Sequence, residues 1–355
     1  MISRRSLLLT GVSALALPAI RPAMAKTRTE FRVAWSIYVG WMPWGYAADA
    51  GIVKKWADKF GLAIEVTQFN DYVESINQYT AGAYDAVTVT NMDALSIPAA
   101  GGVDTTAVIV GDFSAGNDAV FLKGAGALAD IAGRKVNLVE FSVSHYLLAR
   151  ALDTVGLSEA DVSVVNTADP DMVGAFQTQD VAAMVTWNPM VAEIEKLPDA
   201  TKVFDSSQIP GEIIDLMVAS TASLAENPDF GKALAGIWYE TVTLMVSVTP
   251  EGAAARAAMG AASGTDQAGF EAQLAATKLF EKPADAVAFT TSPDLQTTMD
   301  LVRTFLFEKG LLGVGAPSAD VIGIQLPSAV VLGDAANVKL RFTSDYMQMA
   351  ADGAL

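Results

Sequence analysis

Acidic and aromatic residues are concentrated where apolar, β-rich runs of the sequence end. Asp93 and Glu140 come shortly after the runs AVTVT and KVNLV, and Asp112 follows TTAVIVG. Carboxylates accept in-plane hydrogen bonds from a planar cation, and aromatic faces stack on the plane of such a cation. These residue types therefore predict a site for a small planar cation that carries N–H donors.

The segments expected at the carboxyl ends of the strands contain no Lys or Arg; they are 38–46, 70–78, 90–94, 112–118, 140–146, 187–195 and 212–216. Their acids include Asp71, Glu74, Asp93, Asp112, Asp118, Glu140, Glu193, Glu212 and Asp215. A neutral urea-like solute would use the aromatic and amide groups, but a buried carboxylate without a cation is costly. An anion remains open, because backbone N–H groups at helix N-termini bind anions without a basic side chain.

Eleven residues are the candidate substrate-binding residues, and each has a simpler structural role as its alternative. They are Tyr38, Trp41, Trp44, Asn91, Asp93, Asp112, Glu140, Ser142, Trp187, Asn188 and Asp215. The tryptophans beside Pro43 could pack the start of a helix, Asp93 and Ser142 could cap helices, and Asp112 could serve a hinge.

The composition excludes several classes of protein. The chain of 355 residues has 23 Lys and Arg against 40 Asp and Glu, a net charge of −17, one His and no Cys. The acid excess argues against a nucleic-acid partner. Without Cys there are no thiolate sites or lipid-anchored cysteine, and His145 alone supports no multi-histidine metal site. We expect no catalytic residue, no metal and no cofactor, and we expect His145 to be structural.

Residues 1–25 read as a secretory signal peptide. Arg4 and Arg5 precede an apolar run, and Ala23-Met24-Ala25 gives a cleavage pattern. The adjacent arginines resemble a twin-arginine signal, with an ordinary secretory signal as the alternative. Removing the segment leaves 20 basic and 40 acidic residues, a charge of −20. We expect an exported, soluble, periplasmic protein without a lipid anchor.

Short β-rich runs alternate with helical patterns, which predicts α/β architecture with parallel βαβ units. The sequence pattern predicts a helix over 44–60. After a strand over 215–220, it predicts that the chain is helical nearly to its end. Crossings near 112–117 and 211–215 would join a discontinuous first domain, 26–111 plus 216–355, to an inserted second domain, 112–215. A ligand cleft would then lie between the two domains, at the carboxyl ends of their strands.

Three runs carry a family resemblance: DYVESINQYTAGAYDAVTVTNMDAL, VNLVEFSVSHYLLARAL and MVTWNPMV. With the signal peptide and the opening strand, they resemble periplasmic solute-binding proteins of ABC transporters, of the nitrate/sulfonate/taurine (NMT1/SsuA-like) type. Within the NMT1/SsuA-like type, the chain most resembles the urea-carboxylase-associated branch. The resemblance implies a type II periplasmic binding protein fold: two hinge-connected, doubly wound sheets with a helical C-terminal segment. It also implies guanidinium as a solute, with urea as the alternative.

The expected function is therefore a monomeric binding protein that closes on a small-molecule solute and delivers it to the transmembrane subunits of an ABC permease. Relatives that bind sulfonate or nitrate are expected to offer a basic group, and this sequence departs from that pattern. Two other classes stay open: an exported sensor module, and an enzyme resembling thiamine-precursor proteins. The absence of Cys argues against the enzyme, because those proteins carry a cysteine-rich motif.

Overall fold

The computed structural model describes residues 28–355, so the predicted signal peptide lies outside the described residues. The strands are β1 (Glu30–Ser36), β2 (Ala63–Phe69), β3 (Ala86–Thr90), β4 (Thr105–Ser114), β5 (Asp118–Lys123), β6 (Lys135–Leu138), β7 (Ser163–Asn166), β8 (Ala183–Trp187), β9 (Ala200–Asp205), β10 (Ile214–Ser220), β11 (Thr277–Leu279), β12 (Gly323–Gln325), β13 (Val331–Leu332) and β14 (Val338–Phe342). The α-helices are α1 (Met42–Asp49), α2 (Ile52–Phe60), α3 (Tyr72–Thr80), α4 (Asn91–Ala94), α5 (Val143–Thr154), α6 (Met172–Gln177), α7 (Met190–Ile194), α8 (Thr221–Glu226), α9 (Asp229–Val246), α10 (Pro250–Ala262), α11 (Gln267–Ala275), α12 (Pro283–Thr290), α13 (Pro293–Glu308) and α14 (Asp345–Ala351).

The strands form two sheets. The first has the order β13-β12-β14-β4-β10-β3-β1-β2, with β11 pairing along β4. Its central strands β3 and β4 are buried almost throughout, as expected for strands covered by helices on both faces. The second sheet has the order β7-β6-β8-β5-β9. The predicted α/β class is confirmed by these two mixed sheets and their helices.

Two neighbouring strands of the first sheet connect it to the second. The chain leaves after β4 ends at Ser114 and enters the second sheet at Asp118; it leaves after Asp205 and returns at Ile214 in β10. The strands β4 and β10 are antiparallel neighbours, so both connections start from one place in the first sheet. The domain boundaries predicted from the sequence stay a prediction.

Two predicted elements are wrong in detail. The helix expected over 44–60 is divided into α1 and α2 at Gly51, whose φ of +74° is a left-handed conformation that glycine adopts without strain. The C-terminal part is not purely helical, because β11 to β14 all follow Asp215–Ser220 and extend the first sheet. Across residues 28–355, no helix is both long and apolar enough to cross a membrane.

Candidate functional site

Four buried carboxyl groups lie between the two sheets. Asp93 and Asp112 are fully buried, and Asp118 and Asp215 are each 3% exposed. Within residues 28–355, none of the four has a Lys, Arg or His within ion-pair distance. Because an unpaired buried charge is expensive, this cluster requires either protons or a cation that is not part of the described chain.

Asp93 is held by donors from both sides of the site. Its Oδ2 accepts from the hydroxyl of Tyr72 at 2.7 Å, from the hydroxyl of Thr90 at 3.0 Å and from the backbone N–H of Val143 at 3.3 Å. Burial raises the pKa of Asp93 to about 6, although these hydrogen bonds oppose the rise. Its Oδ1 is buried without a partner, so one lone-pair face of this carboxylate is free for a ligand.

Asp112 and Asp215 form an acid pair on the two strands that lead to the second sheet. They are direct register partners, and the register shifts next to them because Gly111 has no opposing residue on β10. Such a bulge re-aims the neighbouring side chain, which is a common feature beside functional sites. Burial raises the pKa of Asp112, and burial together with the charge of Asp112 raises the pKa of Asp215. Each of the two has a buried Oδ2 without a partner.

Asp118 begins the second sheet and faces the same space. Its Oδ2 accepts from Ser114 Oγ at 2.5 Å, and burial raises its pKa to about 7, with the charge of Asp93 adding to the rise. Asp118 is among the acids of the strand-end segments but is not one of the eleven candidate binding residues. Its position immediately before the apolar run Ala119–Leu122, in a segment without basic residues, was the available signal.

Four aromatic rings surround the space between these acids. Trp41 lies 5.1 Å from Tyr38 and 5.5 Å from Tyr72 between ring centroids, and Trp187 meets Tyr72 edge-to-face at 5.7 Å. Tyr38 also donates its hydroxyl to Asp112 Oδ1 at 3.4 Å. Aromatic faces beside carboxylates suit a planar cation, which the rings attract through their quadrupoles.

A small cavity is enclosed by these groups. Its walls are Tyr38, Trp41, Tyr72, Thr90, Asp118, Val143, Trp187, Ile213 and Asp215. The space between the wall atoms is about 270 Å³. This volume lies below the ~300–1,000 Å³ that is typical of sites for drug-sized ligands, so the cavity suits a small guest.

A second, smaller cavity of about 190 Å³ lies behind the acid pair. Trp41 and Asp215 line both cavities, whereas Asp112, Trp44 and Trp238 line only this one. Trp44 stacks on Trp238 at 5.9 Å, so it supports the pair from behind rather than lining the main cavity.

Asn91 and Asn188 also lie outside the main cavity and hold backbone or a neighbouring side chain. The Asn91 side chain donates to Glu212 O at 3.1 Å and accepts from Ile214 N, which fixes the start of β10. Asn188 donates to Asn117 Oδ1 at 2.7 Å. These contacts satisfy the buried amides locally.

Ser142 and Glu140 precede α5 and differ in burial. Ser142 is buried and caps α5, since its hydroxyl accepts from Ser144 N at 3.2 Å. Glu140 is half-buried and only its backbone N–H is engaged, by Asn166. The structure therefore brings together Tyr38, Trp41, Trp187, Asp93, Asp112 and Asp215, and places the other five elsewhere. The wall residues Tyr72, Thr90, Val143 and Ile213 were not candidates.

The remaining sequence inferences concern His145 and metals. His145 is buried; its Nδ1 accepts from Phe141 N at 3.1 Å and its Nε2 lies 3.1 Å from Glu159 Oε1, outside the cavity. Nowhere between residues 28 and 355 do three or more His, Cys, Asp or Glu residues cluster in a way that could hold a metal ion.

Two known proteins are similar in sequence to part of this chain. A Brucella abortus (strain 2308) protein that is named only as a candidate binding protein is 26% identical over 202 residues, 56% of this chain and 62% of that protein. The chain thus matches less than two thirds of the length of such relatives. The taurine-binding periplasmic protein of Escherichia coli (strain K12) is 28% identical over 109 residues, 30% of this chain and 33% of that protein.

Solved structures show the fold. The alkanesulfonate-binding protein SsuA from Xanthomonas axonopodis pv. citri, bound to MOPS, aligns with a TM-score of 0.66 at 15% identity, over 84% of this chain and 99% of that one. The nitrate-binding protein NrtA from Synechocystis PCC 6803 aligns with a TM-score of 0.56 at 10% identity, over 92% and 99%. The expected periplasmic binding protein fold is confirmed. Residues 34–263 match the NMT1-like family, and the chain belongs to that family.

Proposed function

We propose that this protein is the periplasmic solute-binding component of an ABC importer and that its solute is a small planar cation, with guanidinium favoured. The observation that carries the ligand class is the group of four buried carboxyls, Asp93, Asp112, Asp118 and Asp215, without a basic partner in residues 28–355. A monocation with several N–H donors would supply charge and hydrogen bonds to their unpartnered oxygens.

The size of the cavity supports the choice of guanidinium among cations. The cavity of about 270 Å³ lies below the ~300–1,000 Å³ typical of drug-sized ligand sites, which favours a small solute. The flat face of guanidinium could lie against Trp41 or Trp187, while its edge donates to Asp118 and Asp215. Urea has a similar shape, but it brings no charge to balance the carboxylates.

The relatives suggest the alternative. The names of two compared proteins refer to sulfonates and taurine, and one to nitrate. An anion in this cavity would lie beside buried acids, and cavity residues supply no Lys or Arg to meet it. Binding of a sulfonate or nitrate therefore remains a second candidate that rests on similarity alone.

The compared proteins are binding proteins, which favours a role in import over an enzymatic role. The proposal also includes delivery of the solute to a permease, export through the segment 1–25 and a monomeric state.

A ligand titration tests the proposal. Purified protein lacking residues 1–25 is titrated with guanidinium, methylguanidine, urea, taurine and nitrate at micromolar to millimolar concentration and constant ionic strength, with tryptophan fluorescence and Tm as readouts. Guanidinium is expected to raise Tm and change fluorescence at the lowest concentration. A response to taurine or nitrate alone would refute the cation site, and a response to urea without guanidinium would refute the charge argument.

Variants test the site itself. Asp118→Asn removes a charged hydrogen-bond acceptor and is expected to weaken guanidinium binding by about tenfold or more, since such contacts are worth ~1.5–3 kcal/mol. Asp180→Asn, an exposed acid of the same part of the chain, is the matched control and should leave affinity unchanged. Equal affinities for the two variants would contradict the assignment.

A further inference from the structure

The acid pair Asp112 and Asp215 cannot carry two negative charges in the protein without ligand. The two carboxyls come from directly opposite residues of β4 and β10, where Cβ atoms are about 5 Å apart, and both are nearly inaccessible to solvent. Two adjacent buried carboxylates without a cation repel one another, so such pairs hold a proton between them. The unpartnered Oδ2 of each residue is where such a proton can sit.

The groups that face the pair add no positive charge. Tyr38, just before α1, donates to Asp112, and Asp118 on β5 adds a further acid. The register partners on β3 and β11 are Thr90 and Leu279, which do not titrate in this range. Trp238 of α9 lines the cavity behind, and Lys278 of β11 is exposed beside Phe113 rather than Asp112. Asp93 lines neither of the two cavities and is already hydrogen-bonded by Tyr72.

We infer that the Asp112–Asp215 pair keeps one proton when the protein is empty and that a bound cation replaces this proton, which leaves to solvent. The inference rests on the proposed function, because it needs a cationic ligand at Asp215, which lines the main cavity. The exchange breaks one O–H bond and leaves a carboxylate oxygen that accepts an N–H of the ligand. The charge of the site is then the same before and after binding, so closing over the ligand buries no additional net charge.

Proton release makes the affinity depend on pH. If one proton leaves for each cation bound, the association constant rises up to about tenfold for each pH unit, until the pair is deprotonated in the empty protein. The raised pKa values of the acids of the site put this dependence near neutral pH rather than near pH 4. An ordinary exposed carboxylate site would show almost no dependence there.

Isothermal titration calorimetry with guanidinium chloride measures the exchange directly. The titration is done at about pH 8, where Asp93 and Asp118 are largely ionised, in two buffers with different ionisation enthalpies, and the difference in heat gives the protons released per cation. We expect about one, and an affinity that increases between about pH 5.5 and 7. Tight binding with no proton released at any pH would refute the exchange but leave the cation site intact. Absence of guanidinium binding at every pH would instead refute the proposed function.

A variant locates the proton. Asp112→Asn leaves one carboxyl of the pair and is expected to reduce the released protons to less than half, with a flatter dependence of Kd on pH. Asp118→Asn weakens binding but should leave the proton count near that of the unchanged protein, and Asp180→Asn should change neither. A full proton release by Asp112→Asn would show that the proton does not depend on the two carboxyls acting together and would overturn the assignment to the pair.

Discussion

Replacing Tyr72 by Phe tests how the protein stabilises a buried carboxylate at the site. The hydroxyl of Tyr72 donates to Asp93 Oδ2 at 2.7 Å and accepts from Thr90 N at 3.0 Å. Removing it deletes a hydrogen bond to a charged group, worth ~1.5–3 kcal/mol, and leaves a buried N–H without its partner. We expect the free energy of unfolding to fall by about 2–4 kcal/mol.

The same helix offers a matched control. Tyr79, also in α3, is equally buried, but its hydroxyl pairs with the neutral Thr105 Oγ1 at 2.9 Å. Tyr79→Phe should therefore cost only about 0.5–1.5 kcal/mol. Urea or thermal unfolding of the two variants, followed by circular dichroism at about pH 8, gives the comparison without ligand.

The pH dependence separates a charged hydrogen bond from a packing defect. The pKa of Asp93 is raised to about 6, and losing the donor should raise it further. Below about pH 5 Asp93 is protonated in both proteins, so the cost of Tyr72→Phe should shrink towards that of Tyr79→Phe. A cost for Tyr72→Phe that equals that of Tyr79→Phe at pH 8, or that does not change with pH, would refute this reasoning.

Three further predictions follow from the site and its support. Trp187→Leu removes a ring from the cavity wall and should weaken guanidinium binding by about 3–30-fold, because a cation–π contact is worth ~0.5–2 kcal/mol. Calorimetry measures this without relying on tryptophan fluorescence, and an unchanged Kd would contradict the prediction. Gly111→Ala would place a Cβ 2.8 Å from Trp238 and should lower the free energy of unfolding by about 1–3 kcal/mol. The control Gly174→Ala, on an open helix surface, should not lower it, and equal melting curves for the two variants would contradict the prediction. Without ligand, the free energy of unfolding should fall as pH rises from about 4 to 7. Folding raises the pKa of Asp93 to about 6 and that of Asp118 to about 7, so the folded protein holds protons that the unfolded chain releases. A melting temperature that rises over this range would refute the prediction, and saturating guanidinium should reduce the loss.

The sequence predicts the strands well where apolar β-branched residues are bounded by clear breaks. The run Ala86–Thr90 is an example, since it is confirmed as β3 with the same ends. The strands β12 and β13 were missed because they have only three and two residues, too few for an alternating pattern to appear. The break at Gly51 was readable in principle, but an isolated glycine in a helical pattern is often tolerated.

The candidate site was predicted in kind but not in arrangement. Acids and aromatics without basic residues were visible in the strand ends, and Asp215 and Trp187 do line one cavity. The pairing of Asp112 with Asp215 was not predictable, because it depends on a bulge at Gly111 and joins residues about a hundred positions apart. Glu140 had the same local signal as Asp93, but its side chain stays half-buried outside the cavity.

The origin of the cavity walls sets the order in which a ligand would meet them. Tyr38, Trp41, Tyr72 and Asp215 come from the first-sheet part of the chain, whereas Val143 and Trp187 come from the second. In the proposed binding cycle, a solute first rests on the larger, first-sheet wall, and the other wall then closes over it. Changes at Trp41 should therefore slow association, whereas changes at Trp187 should mainly shorten the residence time of the bound solute.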